Sequence, residues 1–282
     1  MGAALCGRGD IEMALTNPKY NALPQLANIQ GFWRLEETSG TRYDETDNNN
    51  DLTPNTTIGY GTGKIGNAVD LEASSSNRLV ISDAAQTGLD ITGNMSASVW
   101  IKGESISSSN TIFSKFKLIT NGYSYMLRLY NGKINGLLSG DGDNSTQITG
   151  GTTLSTGTFY HIFFIYDGSK VYLYLNNSSD ATPVSYSSGI YNSSIDFSVG
   201  CYFSDAGTGV GFFDGLVDEL IIWNTALTEA ERTRVYKITE ESMYKKASGG
   251  ILNWWFFKEA WEKHDRIWTP KLTLPKDLGF SY

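Results

Sequence analysis

Apolar and polar positions alternate with a period of two along much of this 282-residue chain, broken by short Gly-, Asn- and Asp-rich stretches. In Met95-Ser-Ala-Ser-Val-Trp-Ile101 the alternation sets Met95, Ala97, Val99 and Ile101 on one face, the pattern of a half-buried strand. Tyr160-His-Ile-Phe-Phe-Ile-Tyr166 is apolar on both faces, as a strand inside a sandwich would be. Asp167-Gly168 is a hairpin-turn pair. It leads into Val171-Tyr-Leu-Tyr-Leu175, which buries Val171, Leu173 and Leu175 and turns Tyr172 and Tyr174 the other way. A second hairpin joins Tyr123–Tyr130 to Lys133–Leu138 about Asn131-Gly132. Strands at this spacing with almost no helix predict an all-β antiparallel sandwich. One helix is expected after the last strand, where Thr228-Glu-Ala-Glu231 forms a capping box, running to about Lys237.

This alternating region spans residues 30–237. Before it, residues 1–29 form an arm with Pro18, Pro24 and little periodicity. After it, residues 238–282 differ in charge and aromatic content. From Lys237 onward there are 8 Lys/Arg and 6 Asp/Glu, a net +2, against a net of -10 (14 minus 24) for the remainder. Trp254, Phe257, Trp261, His264 and Trp268 recur at spacings of three and four, one face of a helix. Glu259 with Lys263 and Glu262 with Arg266 add i,i+4 pairs along it. So heavy an aromatic stripe needs burial, and Trp is enriched where partners dock. Three places for that burial are open: the sandwich itself, a membrane interface or a neighbouring protein. The tail is expected to be a helical attachment segment that docks on neighbouring subunits through Trp254, Phe257, Trp261 and Trp268. Its modest charge excess weakens a membrane-interface reading, which calls for a strongly basic face.

Composition narrows the function classes. The net charge of -8 and pI near 4.8 argue against a nucleic-acid partner. No apolar run reaches the roughly 20 residues of a transmembrane helix. The N-terminus lacks the basic start and apolar core of a secretory signal. Two cysteines, Cys6 and Cys201, make no disulfide framework. The expectation is synthesis in a reducing compartment.

Chemistry is suggested by Asp214, Asp218 and Glu219, three carboxylates inside the apolar run Phe212–Trp223. On a regular strand Asp218 shares a face with Leu220 and Ile222, and Glu219 points the other way with Val217, Ile221 and Trp223. A retaining glycosidase needs two carboxyls about 5 Å apart on one surface, so the alternation argues against catalysis. A buried Asp218 must be paired, hydrogen-bonded or metal-bound. Two readings stay open: it caps loop amides, or it shares a calcium ion with the oxygen-rich loop Asp44–Asp51. His161 reads as a structural histidine, since no Ser or Cys motif accompanies it. Tyr172 and Tyr174 are candidates for stacking on sugar rings, or else for packing under a loop or a neighbouring subunit.

An ordered series of segments carries a family resemblance. It runs Gly31-Phe-Trp-Arg-Leu-Glu-Glu-Thr-Ser-Gly40, Asp44-Glu-Thr-Asp-Asn-Asn-Asn-Asp51, Gly63-Lys-Ile-Gly-Asn-Ala-Val-Asp-Leu71 and Ser96-Ala-Ser-Val-Trp-Ile101. Phe159-Tyr-His-Ile-Phe-Phe-Ile-Tyr-Asp-Gly168 and Phe213-Asp-Gly-Leu-Val-Asp-Glu-Leu220 follow. Together they resemble the laminin-G-like, concanavalin A-like lectin/glucanase jelly rolls over about residues 30–237. The resemblance implies two curved antiparallel sheets packed face to face. It also implies a structural calcium held by Asp44 and Asn50 of the loop and Asp218 of the late strand, with Asp47 and Asn49 standing where the family loop favours glycine. The alternating acids of glycanases on this fold are missing. Lectins, adhesion modules, glycanase-attached binding domains and viral surface proteins share the fold, so the fold alone does not fix function. The expectation is a non-enzymatic, lectin-like module on a virion surface, a phage decoration or fibre accessory protein. Its ligand would be a host-surface or environmental glycan bound at Tyr172 and Tyr174, its partners neighbouring subunits of the assembly. The alternatives are a purely structural cementing protein, a glycanase, or an extracellular or cell-surface bacterial adhesin.

Overall fold

The computed structural model of the chain describes residues 20–106 and 109–240. Its strands follow in chain order as β1 (Ile29–Trp33), β2 (Thr53–Pro54), β3 (Gly59–Thr62), β4 (Asn67–Leu71), β5 (Leu79–Ile81) and β6 (Met95–Gly103). Next come β7 (Asn110–Phe116), β8 (Tyr123–Tyr130), β9 (Lys133–Leu138), β10 (Thr146–Thr149), β11 (Tyr160–Tyr166) and β12 (Lys170–Leu175). The last are β13 (Ser178–Ser179), β14 (Val184–Ser185), β15 (Phe197–Val199), β16 (Tyr202–Phe203), β17 (Gly209–Val210) and β18 (Gly215–Trp223). Helix α1 (Glu229–Glu240) follows β18.

These strands make the antiparallel jelly-roll sandwich expected from the alternation. The first sheet runs β13-β12-β11-β6-β18-β4-β3, with β1 also on β18 and β14 on β12. The second runs β10-β9-β8-β7-β15-β5-β2. The inner faces meet in one core. Met95, Ala97, Val99 and Ile101 of β6 and Ile162, Phe164 and Tyr166 of β11 face Tyr125, Leu127, Leu129, Phe197 and Val199 of the other sheet. Trp33 stacks on Phe197 with ring centroids 5.4 Å apart, and its indole N–H donates to the Asn50 carbonyl at 2.7 Å. The β8–β9 hairpin turns at Asn131 (φ 52°) and Gly132 (φ 75°), the left-handed pair that a two-residue loop requires.

The sandwich has a third layer on one side. The outer face of the first sheet carries Phe32, Phe163, Ile165, Ile221 and Trp223, all buried. They are covered by Tyr20 and Leu23 from the arm and by Leu227 and Val235 from the α1 segment. This explains why β11 is apolar on both faces: the sandwich core takes one and the arm and helix take the other. Residues 20–28 of the arm are short 3-10 turns strapped across the sheet. Trp223 Nε1 donates to the Pro24 carbonyl at 3.2 Å, and Gln25 Nε2 to Glu231 Oε1 at 2.6 Å. The docking residues expected in the tail, Trp254, Phe257, Trp261 and Trp268, lie outside the described residues.

The capping box forms as its sequence predicts. Thr228 N donates to Glu231 Oε2 at 2.8 Å, and Glu231 N donates back to Thr228 Oγ1 at 3.4 Å. Replacing Thr228 with Ala is expected to cost about 1 kcal/mol of unfolding free energy, read as a lower urea midpoint with an unchanged slope.

Candidate functional site

The acids that attracted attention in the sequence lie on β18, and a bulge decides their arrangement. Val217, Leu220 and Ile222 face the core, whereas Ile221 and Trp223 face outward. Asp218 pairs with Trp100, but Ile221 pairs with Ser98, so β18 holds one residue more than β6 across that interval. The extra residue is Glu219, at φ 50°. Its carboxylate therefore accepts the Tyr20 hydroxyl at 2.5 Å on the outer side, the side that Asp218 also occupies. The face assignment expected from regular alternation is thus corrected: Asp218 does not share a face with Leu220 and Ile222, and the two carboxylates lie on the same side.

They are nonetheless spent on structure. Asp218 Oδ2 accepts the amides of Lys64 at 2.7 Å and Ile65 at 3.1 Å. A β-carbon on Gly63 would come within 2.7 Å of that oxygen, so glycine lets the turn settle onto the carboxylate. Glu36 holds the far end of the same turn by accepting the Asn67 amide at 2.8 Å. Burial, then the neighbouring Glu219 charge, raises Asp218 well above the usual carboxylate range, while the two amides oppose the shift. Both side chains are fully buried. Asp214 accepts the Ala73 amide at 3.0 Å just before β18 begins.

The residues expected to hold calcium do not fit it. Asp44 Oδ1 accepts the Phe32 and Thr46 amides at 2.9 and 3.0 Å, and its Oδ2 accepts the Thr46 hydroxyl and Asn50 amide at 2.8 and 2.9 Å. Asn50 Oδ1 accepts the Thr87 amide at 2.8 Å. These N–H and O–H dipoles point their positive ends where a cation would sit. Asp44 bridges to Trp33, which pairs with Leu220, so the loop is two strand spacings, about 10 Å, from β18. Asp218 ties down the Gly63–Gly66 turn rather than the Asp44–Asp51 loop. Among the described residues no group of three or more His, Cys, Asp or Glu is placed to hold a metal ion. Asn49, where the family loop favours glycine, takes the left-handed conformation at φ 54°.

Tyr172 and Tyr174 do project from the outer face of the first sheet, but other protein groups occupy them. Their rings stack on each other at 6.3 Å. The Arg232 guanidinium of α1 lies 3.5 Å over Tyr174, and the Tyr172 hydroxyl donates to Asp167 Oδ2 at 2.8 Å. They flank the arm-and-helix layer as half-buried packing residues. His161 lies beneath the same layer, its Nε2 2.8 Å from the Ser98 hydroxyl and its ring against Trp100, Phe163 and Tyr236. Burial, aided by the Lys64 charge, pushes it down to about 3, so it packs as a neutral ring.

The outer face of the second sheet is different. Among the described residues no helix packs on it. Register sets its side chains in rows across β8, β9 and β10: Tyr130 with Lys133, Arg128 with Asn135 and Thr149, and Met126 with Leu137 and Gln147. Beyond them Tyr123 stacks on Phe116 at 4.1 Å and Tyr202 meets the same ring edge-on, two half-exposed tyrosines capping Phe116, Met126 and Leu137. The outward rows thus run from Tyr130 and Lys133 through Arg128, Asn135 and Thr149 to Met126 and Leu137, which are buried against Tyr123 and Tyr202. The period-two pattern of Tyr123–Tyr130 carries a signal for these residues, since Met126, Arg128 and Tyr130 share a face. Their partners on β9 and β10 need the register.

Residues 73–231, more than half of the chain, match the family model described as the concanavalin A-like lectin/glucanases superfamily. The chain belongs to this superfamily. No curated protein matches it. Solved structures share the fold at low identity. The binding domain of Paraclostridial Mosquitocidal Protein 1 aligns at 13% identity over 75% of this chain and 52% of its own, with a TM-score of 0.60. Domain 4 of AbnA, a GH43 extracellular arabinanase from Geobacillus stearothermophilus solved in complex with arabinotriose, aligns at 21% over 75% and 98%, with a TM-score of 0.53. The binding domain of botulinum neurotoxin DC, in complex with rat synaptotagmin II, aligns at 10% over 76% and 52%, with a TM-score of 0.59. The superfamily member described here spans about half the length of the two toxin domains.

Three outcomes check the buried acid and histidine. Asp218→Ala orphans two amides and is expected to cost about 2 kcal/mol or more, whereas Asp218→Asn keeps an acceptor for them and costs much less. Millimolar calcium is expected to leave the thermal midpoint of the wild-type chain unchanged. His161 is neutral in the folded chain but protonates in the unfolded chain below its ordinary value of 6.5. Its contribution is fully present above that value and is lost as pH falls toward about 3. The stability difference between wild type and His161→Phe should therefore shift against the wild type by about 1.4 kcal/mol per pH unit across that window, read from urea midpoints.

Proposed function

We propose that this chain is a non-enzymatic, lectin-like binding module whose ligand, a glycan, lies on the outer face of the second sheet. The observation that carries the reading is the asymmetry of the two outer faces. One is buried under the arm and α1, and the described chain enters it at Tyr20 and leaves it at α1. The other carries no helix among the described residues and offers exposed or half-exposed Tyr123, Tyr130 and Tyr202 beside the polar Arg128, Gln147 and Thr149, the combination that stacks on sugar rings while bonding their hydroxyls. The arabinanase domain solved with arabinotriose and the toxin binding domains lend the superfamily fold to such a role. The fully buried Asp218 and Glu219 support a non-enzymatic reading, since no substrate reaches them without unpacking Tyr20. Display on a virion, with residues 238–282 docking on neighbouring subunits, belongs to the same proposal and rests on the aromatic stripe of the tail.

A glycan array followed by titration tests this. Tyr123→Ala combined with Tyr202→Ala is expected to weaken binding of the retained glycan roughly tenfold or more, from the loss of two ring contacts. Tyr172→Ala is expected to leave affinity unchanged. No glycan retained, together with loss of assembly on deleting residues 238–282, would leave only the cementing role.

A further inference from the structure

We infer that the ligand of the open face is anionic, a saccharide bearing a carboxylate or sulfate group that Arg128 reads; this rests on the glycan-binding reading above. Arg128 stands in the middle row of the face, half-buried and held on three sides by neutral groups. Its Nε donates to Asn135 Oδ1 at 2.9 Å and its Nη1 to the Ser109 hydroxyl at 3.3 Å, and its guanidinium lies 4.7 Å from the centre of the Tyr130 ring. Asn135 is fixed in turn, its Nδ2 donating to Thr149 Oγ1 at 2.9 Å and to the Ile148 carbonyl at 3.2 Å. The chain Ser109–Arg128–Asn135–Thr149 therefore sets the guanidinium plane before any ligand arrives, which removes part of the ordering cost of binding.

No carboxylate completes this arrangement. Among the described residues Arg128 makes no ion pair, although Asp and Glu outnumber Lys and Arg by 30 to 22 in the chain. Arg34 pairs with Glu36 and Glu45, and the fully buried Lys115 lies between Asp83 and Asp90. The buried Arg42 and Arg232 make no ion pair among the described residues either, but each has an acid charge nearby, Glu37 and Glu229. Desolvation lowers the Arg128 pKa and only Tyr202 and Tyr130 oppose it, so no acid compensates its burial. A partly desolvated cation without a counter-ion is costly, and a ligand oxyanion relieves that cost. Five N–H groups belong to a guanidinium and two are spent here, which leaves Nη2 and one Nη1 hydrogen to grip a carboxylate or sulfate. Lys133, cross-strand from Tyr130 on the same face, adds a second positive charge.

The same row leads to room for the rest of a sugar chain. Thr149 also lines an open cleft of about 620 Å³ between the edges of the two sheets, with Gly151, Ser179, Asp180, Thr182 and Pro183. Asp180 already accepts the Thr152 amide and hydroxyl, so the cleft offers hydroxyls, backbone and an acceptor carboxylate, groups that suit neutral sugar hydroxyls. The anionic group is thus assigned to Arg128 and the uncharged part of the saccharide to the Thr149 side.

Retention of the full chain on three immobilised polymers tests the inference: alginate (carboxylate), dextran sulfate (sulfate) and uncharged dextran. The expected result is retention on at least one anionic polymer well above dextran, weakening as salt rises, with the better of the two naming the group. Arg128→Gln keeps a donor near Asn135 and should lose about tenfold in affinity with its thermal midpoint little changed. Lys133→Gln, which disturbs no buried bond, should lose two- to threefold and decides the matter if the Arg128 variant folds poorly. Equal retention on dextran, or anionic binding untouched by both variants, overturns the inference. If a neutral glycan binds in a Tyr123- and Tyr202-dependent manner, only the charge assignment falls. If no saccharide of any kind is retained, the glycan-binding reading falls with it.

Discussion

The first sheet has an apolar outer face, and burying it shapes everything else in the molecule. Phe163 and Ile165 of β11, Ile221 and Trp223 of β18 and Phe32 of β1 would leave a broad greasy surface in water if the sandwich stood alone. The arm from Tyr20 and the helix after Leu227 close over them, and the contacts that hold this lid are specific. Trp223 reaches the Pro24 carbonyl, Gln25 reaches Glu231 of the capping box, and Trp100 donates to Thr239 of α1 at 3.0 Å. With one outer face committed to packing, the second sheet supplies the free surface. The division of labour between the two faces follows from where the apolar residues of β11 and β18 fall.

The bulge at Glu219 belongs to the same design. By admitting one extra residue, β18 keeps Val217 and Leu220 in the core while Asp218 and Glu219 both turn toward the lid. Glu219 then receives the arm through Tyr20, and Asp218 receives the Gly63–Gly66 turn through two amides. Burial first, and then the Glu219 charge beside it, raises Asp218 well above the usual carboxylate range. The acids that look catalytic in the sequence are fasteners between the sandwich and the segments crossing it.

Much of the fold was legible because local rules suffice for it. Asn131-Gly132 marks its hairpin, the alternation of Met95–Ile101 marks a half-buried strand, and Thr228 with Glu231 marks the helix start. The ordered set of family segments supplied the two-sheet architecture. The faces of Asp218 and Glu219 were not legible, since nothing in Val-Asp-Glu-Leu announces a left-handed, non-glycine residue. Tyr172 and Tyr174 were assigned to the right side of their strand. What covers Tyr174, Arg232 of a helix nearly sixty residues later, lies beyond any local pattern. The row Arg128, Asn135 and Thr149 draws one residue from each of three strands, so only register brings it together. In the calcium set, residue types suited to a metal are engaged by backbone amides, which residue type alone does not show.

The central claim is that the ligand meets the second sheet, on the side away from the arm and α1. Backbone amide shifts of the isotope-labelled chain, followed by NMR while an oligosaccharide it retains is titrated in, test this most directly. The account predicts that the shifts cluster on Tyr123–Tyr130, Lys133–Leu138 and Thr146–Thr149. Shifts concentrated instead on Lys170–Leu175 and Glu229–Glu240 would contradict it, because the ligand would then lie on the face assigned here to packing.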